Sequence, residues 1–190
     1  MAGDNALIPM EVVGVRVELP SNQPIVLLKE RDGTRYLPIW IGANEATSIA
    51  TAMEGVEPPR PLTHDLIQTI IGNLGAKITH IWVNDLKSDT FFAKICVAVN
   101  GKKMEIDSRP SDAIALAVRA QVPIYAEDTV LEQAGVQLDA ETGKPIIPDE
   151  AEGNAEKTSK VREEELQRLS AFTDFINTLD LEDFGKPSKE

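Results

Sequence analysis

Glu105-Ile106-Asp107-Ser108-Arg109-Pro110-Ser111-Asp112-Ala113-Ile114-Ala115-Leu116 reads as a strand that ends on carboxylates, turns through Ser-Arg-Pro, and runs into a helix apolar almost all round. Side chains alternate along a strand, so Glu105 and Asp107 share a face. Pro110 suits the first turn of a helix, where its missing N–H costs little. Asp112 falls in that first turn, where a negative charge meets the positive end of the helix dipole. Ser108 or Ser111 can cap the free N–H groups. Three carboxylates and one guanidinium therefore gather at a strand-to-helix junction. Such a cluster can hold a metal or a phosphate, or it can simply brace the turn.

Upstream, residues 77–83 and 90–99 read as strands, and Asn100-Gly101 is the strongest hairpin signal in the chain, matching a type I′ turn into a strand over 102–107. Further back, residues 10–19 alternate as a first strand, and 25–28 with 36–41 form a hairpin around Arg31-Asp32-Gly33-Thr34. One helix opens at Asn44-Glu45-Ala46 and stops at Gly55, and a second takes Thr63 as its N-cap and ends at Gly75. After the helix over 112–120 come a short strand at 123–125 and a short helix over 129–134 closed by Gly135. Hairpins alternating with single helices, without regular βα periodicity, predict an α+β fold: a mixed β-sheet built from hairpins with packed helices. Residues 1–138 form the main domain, 139–158 an acidic linker around a small turn, and 159–185 a C-terminal amphipathic helical extension with Leu166, Leu169, Phe172, Ile176 and Leu179 at helical spacing.

Charge and composition narrow the function classes. The net charge of −12 divides into −6 over residues 1–139 (12 basic, 18 acidic) and −6 over 140–190 (7 basic, 13 acidic), so the tail is the denser segment and the body only mildly acidic. That balance weighs weakly against a nucleic-acid partner, because a local basic patch of Arg60, Lys77, Lys102, Lys103, Arg109 and Arg119 remains available. Cys96 is the single cysteine, which forbids an internal disulfide and fits a reducing compartment. No signal peptide and no membrane-spanning run are legible, so the expected localisation is cytoplasmic. A Gly-rich phosphate loop, a Cys/His zinc spacing and a serine-hydrolase elbow are all missing from the sequence.

Three junctions lead into helices with polar residues: Gly42 to Glu45, Arg60 to Asp65, and Asp107 to Asp112. If the helices start from one edge of the sheet, their N-termini converge and favour an anion. His64 suits a general base or a ligand. Asp65, Asp107 and Asp112 are the proper type for Mg²⁺ or Mn²⁺, with Glu45 assisting, and Arg60 and Arg109 can clamp a phosphate beside Ser108. Metal-assisted hydrolysis of a phosphodiester uses such groups naturally. The alternative is structural: Asp65 and Asp112 as first-turn caps, Arg109 paired with Asp107 or Glu45, His64 holding a loop carbonyl, and His80 a strand histidine.

Several segments together resemble the bifunctional nuclease domain family. They are Leu37-Pro38-Ile39-Trp40-Ile41-Gly42 with Glu45-Ala46, Arg60-Pro61-Leu62-Thr63-His64-Asp65-Leu66, Thr90-Phe91-Phe92-Ala93, and the run from Asp107 to Ala117, in order over residues 10–135. The resemblance implies an α+β domain that associates as a homodimer and cleaves both DNA and RNA. It implies no established catalytic mechanism. Two expectations follow. The first is a nuclease of low sequence specificity in which Asp107, Asp112 and Glu45 hold the metal, His64 and Asp65 assist, and Arg60, Arg109 and Ser108 bind phosphate. The second is a non-catalytic regulatory module with an anionic-ligand pocket and a protein partner.

Overall fold

A computed structural model describes residues 6–18, 22–138 and 145–146. The expected acidic linker and C-terminal helix of residues 147–185 lie outside them, as does most of 139–146. The described chain forms β1 (Leu7–Glu18), β2 (Gln23–Glu30), β3 (Arg35–Trp40), α1 (Ala43–Met53), α2 (Thr63–Asn73), β4 (Ala76–Lys87), β5 (Thr90–Val99), β6 (Lys102–Ser108), α3 (Pro110–Ala120), β7 (Ile124–Glu127), α4 (Asp128–Ala134), β8 (Val136–Leu138) and β9 (Pro145–Ile146). Seven strands of the main body lie in the order β6-β5-β4-β7-β1-β2-β3. Most neighbours are antiparallel, but β7 lies parallel to β4 while running antiparallel to β1. The sheet is mixed and the fold α+β. In the C-terminal unit, β8 and β9 pair antiparallel.

Strand periodicity explains the core. Ile78, Ile81, Val83, Ala93, Ile95 and Val97 pack into one cluster with Ile114, Ala115, Leu116 and Ala117 of α3. This helix packs over β4 and β5 and against both α1 and α2, so it must be apolar almost all round, as the sequence reads. Ile25 to Leu28 are all buried, as expected of a run apolar on both faces. The Asn100-Gly101 turn has positive φ at both residues, the type I′ signature, and sets the β5–β6 register Val99↔Lys102.

Two local readings change. Thr63 is the first residue of α2 rather than its cap. Leu62 takes the cap position, and Asp65 three residues on accepts its backbone N–H at 2.8 Å. The apolar residues of α2 and its C-cap also divide: Ile67 and Ile71 pack on the core, whereas Leu66, Ile70 and the C-cap Leu74 are exposed.

Candidate functional site

Glu45, Asp65 and Asp112 occupy the same position, the third residue of α1, α2 and α3 respectively. In each helix the N-cap residue (Gly42, Leu62, Arg109) makes no side-chain cap bond. The acidic groups therefore stand alone against the positive ends of the dipoles. Ser108 and Ser111 do not cap α3. The Ser108 hydroxyl donates to the Arg109 carbonyl at 3.0 Å, and Ser111 is buried.

The three helix starts converge through side-chain bonds. Arg109 donates from Nε to Asp112 Oδ2 at 2.6 Å and from Nη2 to Asp112 Oδ1 at 3.0 Å, in the fork geometry suited to a carboxylate. The same Nη2 reaches Glu45 Oε1 at 2.8 Å. His64, only 7% exposed, joins the cluster from α2. Its Nε2 lies 3.1 Å from Asp112 Oδ1 and its Nδ1 lies 2.9 Å from Ser48 Oγ. An ionised carboxylate only accepts, so Nε2 carries the proton toward Asp112, and in the neutral ring Nδ1 accepts from Ser48.

A second arm runs from Ser48 to Asp65. Arg119, in the last turn of α3 and almost fully buried, donates from Nη1 to the carbonyls of Ser48 and Ala115 at 3.1 and 3.0 Å. Its Nε donates to Asp65 Oδ1 at 2.5 Å. One network thus runs Glu45–Arg109–Asp112–His64–Ser48–Arg119–Asp65 and locks α1, α2 and α3 together.

The electrostatics follow from the partners. Burial opposes ionisation of Asp112, but the Arg109 guanidinium and His64 outweigh it and hold its carboxyl below the usual aspartate pKa. Burial likewise opposes ionisation of Asp65, and Arg119 with the Leu62 N–H overcomes it. The Arg109 pKa is raised, first by its bonds to Asp112 and then by Glu45. Its side chain is nonetheless 66% exposed, so the cluster presents one solvent-facing cation over a mostly buried support.

Of the residues singled out in the sequence, His64, Asp65, Asp112, Arg109 and Glu45 share this network. Asp107 does not. It pairs in register with Lys94, whereas Ile106 pairs with Ile95 of the core. Alternation therefore turns Asp107 to the face away from α3. Arg60 is exposed in the segment before α2, and His80 sits on β4 with an edge-on contact to Tyr125 at 5.6 Å.

Asp107, Asp112 and Glu45, expected to share Mg²⁺ or Mn²⁺, are not gathered around one point. Among the described residues no group of three or more His, Cys, Asp or Glu is arranged to hold a metal ion. Both Asp112 oxygens are already engaged by Arg109 and His64. This donor set does not fit a preformed metal centre. The sequence reading also missed Ser48. Its signal was a hydroxyl on the apolar face of α1 beside Ile49, which needs a partner once buried. Arg119 was seen only as one member of a basic patch.

The sequence model of the family described as Bifunctional nuclease domain matches residues 26–139, more than half of the chain. An uncharacterized protein of Mycobacterium tuberculosis is 45% identical over 168 residues, covering 88% of this chain and 94% of that protein. Bifunctional nuclease 1 of Arabidopsis thaliana is 29% identical over 129 residues, covering 66% of this chain and 39% of that protein. Bifunctional nuclease 2 of Oryza sativa subsp. japonica is 27% identical over 119 residues, covering 60% of this chain and 37% of that protein. The converging helix starts lie within the matched region, and the chain belongs to the bifunctional nuclease domain family.

Proposed function

We propose that this protein hydrolyses phosphodiester bonds in DNA and RNA with low sequence specificity, at the place where α1, α2 and α3 begin. The observation that carries the reading is the exposed Arg109 guanidinium, fixed from behind by Asp112 and Glu45. A phosphate diester can take the solvent side of this fork, with the first turns of the helices adding to the favourable potential. Arg60, exposed in the segment before α2, supplies a second cation for the strand. Asp112 is bonded to the Arg109 guanidinium through both oxygens, and a remaining lone pair on its carboxylate is suited to orient an attacking water. His64 acts through Asp112 as a positioning residue, since its own ring is buried and both nitrogens are engaged. Membership of the family, whose plant relatives are named nucleases, supports the same reading.

One observation favours a second reading: every carboxylate of the network already has a cationic partner. A closed arrangement of this kind also suits a regulatory module that binds an anionic ligand at Arg109, alters its contacts with a protein partner, and cleaves nothing.

The two separate in one experiment. Highly purified full-length protein is assayed on single- and double-stranded DNA and on RNA, with and without divalent ions, beside Arg109→Ala, Asp112→Asn and His64→Ala. Cleavage that falls at least tenfold in Arg109→Ala and Asp112→Asn, with folding retained, supports hydrolysis (about 1.4 kcal/mol of lost transition-state stabilisation). Cleavage undiminished in both variants overturns this site. Anion binding that depends on Arg109, without cleavage by the unaltered protein, selects the module.

A further inference from the structure

All four described helices join the hydrophobic cluster that Ala93, Ile95 and Val97 build on one side of β5. Phe92 and Lys94 alternate with these residues and so face the other side, which no described helix covers. Trp82, between Ile81 and Val83, and Tyr125, between Ile124 and Ala126, share that open side by the same alternation. Trp82 pairs in register with Lys94 of β5 and with Tyr125 of β7, and Phe92 stands two residues from Lys94. Three rings therefore cross three neighbouring strands. In a chain only 5% aromatic, this is a concentration that the core does not use.

The row begins beside the helix starts. Ser108 pairs with Ala93, so Phe92 stands next to Arg109, at the end of the sheet where the open side meets α3. Phe92 is 36% exposed, and Trp82 and Tyr125 are half-buried. The indole of Trp82 is held in place, its Nε1 donating to Glu127 Oε2 at 2.8 Å. A lysine ammonium lies over each of two rings: Lys94 Nζ is 5.1 Å from the centre of Trp82, and Lys87 Nζ is 5.9 Å from that of Phe92. Charge on this side also differs from the rest. Across β4 to β7, Lys77, Lys87, Lys94 and Lys103 balance Asp85, Glu105, Asp107 and Glu127, and Arg109 at the end adds a cation. Residues 1–139 as a whole carry −6, so a polyanion meets less repulsion here than elsewhere.

We propose that Phe92 and Trp82 form a stacking platform for the bases of a single strand of nucleic acid whose phosphate is held at Arg109. This rests on the hydrolysis proposed above and gives it a substrate class: single-stranded DNA or RNA. Every base has a π face, so stacking holds a strand without regard to its sequence. A duplex keeps those faces stacked on one another and cannot offer them to the sheet. Phe92, beside Arg109, takes the base next to the held phosphate, and Trp82 takes the following one. Because Glu127 already fixes the indole, little side-chain freedom is lost when a base arrives. Lys87 and Lys94, long and flexible, leave the ring faces for the phosphates as the bases take their places. The platform also explains why Asp107 faces Lys94 rather than the His64 network: it belongs to the strand-binding side of the sheet.

The test uses the full-length protein carrying Trp40→Phe, which leaves Trp82 as its one tryptophan. A short oligothymidylate, an abasic strand of the same length and a duplex of the same length are titrated at low salt, with folding checked by circular dichroism. The oligothymidylate should quench Trp82 emission and bind at least about tenfold more tightly than the abasic strand, while the duplex leaves the emission unchanged. Phe92→Leu should cost about tenfold in affinity for the oligothymidylate and nothing for the abasic strand, and Phe92→Tyr should stay within about threefold of the unaltered ring. Equal binding of the base-bearing and abasic strands, emission that no strand quenches, or a Phe92→Leu loss that is the same for both strands overturns the platform. So does a failure to bind any strand. The hydrolysis fails separately: a strand that quenches Trp82 but is never cut leaves the platform standing, and cutting that depends on Arg109 but not on Phe92 leaves the cleavage site standing without it.

Discussion

His64 Nε2 lies 3.1 Å from Asp112 Oδ1, a contact that joins the second residue of α2 to the third residue of α3 across 48 positions of chain. It makes the start of one helix depend on the ionisation of the other. Asp112 and Asp65 both have pKa values held below the ordinary 3.8, which fixes the sign of the acid response. A carboxylate depressed on folding stabilises the protein above its unfolded pKa, and that stability is lost as pH falls through the folded value. The melting temperature should therefore hold from neutral pH to about 4 and drop below it. Asp112→Asn should lower the melting temperature at neutral pH and flatten the acid limb. A variant whose acid limb matches that of the unaltered protein would contradict this assignment.

Arg119 should matter more to stability than its place in a basic patch suggests. Its side chain is buried, pairs with Asp65 at 2.5 Å, and adds bonds to the carbonyls of Ser48 and Ala115. Replacing it with Met leaves Asp65 without its cation and removes the side-chain bridge from α3 to the Ser48 carbonyl of α1, which keeps its own helical donor. Breaking a buried pair costs roughly 3–5 kcal/mol, and the partial exposure of Asp65 reduces that to about 2–3 kcal/mol here. Arg119→Lys should recover less than half, because an ammonium cannot reproduce the planar fork. Urea unfolding monitored by circular dichroism measures both, and a loss under about 0.5 kcal/mol for Arg119→Met would place the helix lock elsewhere.

Ser48→Ala offers a finer probe of the same lock. The hydroxyl is buried, and its loss leaves His64 Nδ1 without a partner, at a cost of about 1–2 kcal/mol. Asn at His64 should not substitute for the ring, because a single amide cannot span from Ser48 on α1 to Asp112 on α3. If the proposed hydrolysis uses His64 to position Asp112, Ser48→Ala should lower kcat while leaving KM for the nucleic-acid substrate within about twofold. An equal change in both would show Ser48 acting on substrate binding instead.

Much of this arrangement was legible in the residues themselves. Asn100-Gly101 located a hairpin turn, the apolar circumference of Ala113 to Ala117 marked the central helix, and acids three residues into each helix marked the starts. What period alone cannot carry is the choice of face. Alternation correctly grouped Glu105 with Asp107, but only the pairing of Ile106 with the buried Ile95 shows that both turn away from α3. The partners of Ser48 and Arg119 lie 16 and 54 residues away, beyond any local pattern. The exposed ridge of α2 is illegible for a related reason: nothing local distinguishes Leu66 and Ile70, which are exposed, from Ile67 and Ile71, which pack inward.

Glu45 is the residue whose removal should strengthen, rather than weaken, the interaction proposed for this site. Its Oε1 accepts from Arg109 Nη2 at 2.8 Å and so competes with any phosphate approaching the same guanidinium. Arg109 is largely exposed, so Glu45→Gln should change stability by less than about 1 kcal/mol. Releasing one acidic competitor should tighten binding of single-stranded DNA or RNA by about threefold at low salt, and steepen the dependence of affinity on salt. Fluorescence anisotropy of a labelled oligonucleotide, repeated across a salt series for the unaltered protein, Glu45→Gln and Arg109→Ala, reads both quantities. Tighter binding in Glu45→Gln that vanishes when Arg109 is also replaced assigns the phosphate contact to Arg109. Unchanged affinity in both single variants would remove the nucleic acid from this cluster, whatever the role of the helix lock behind it.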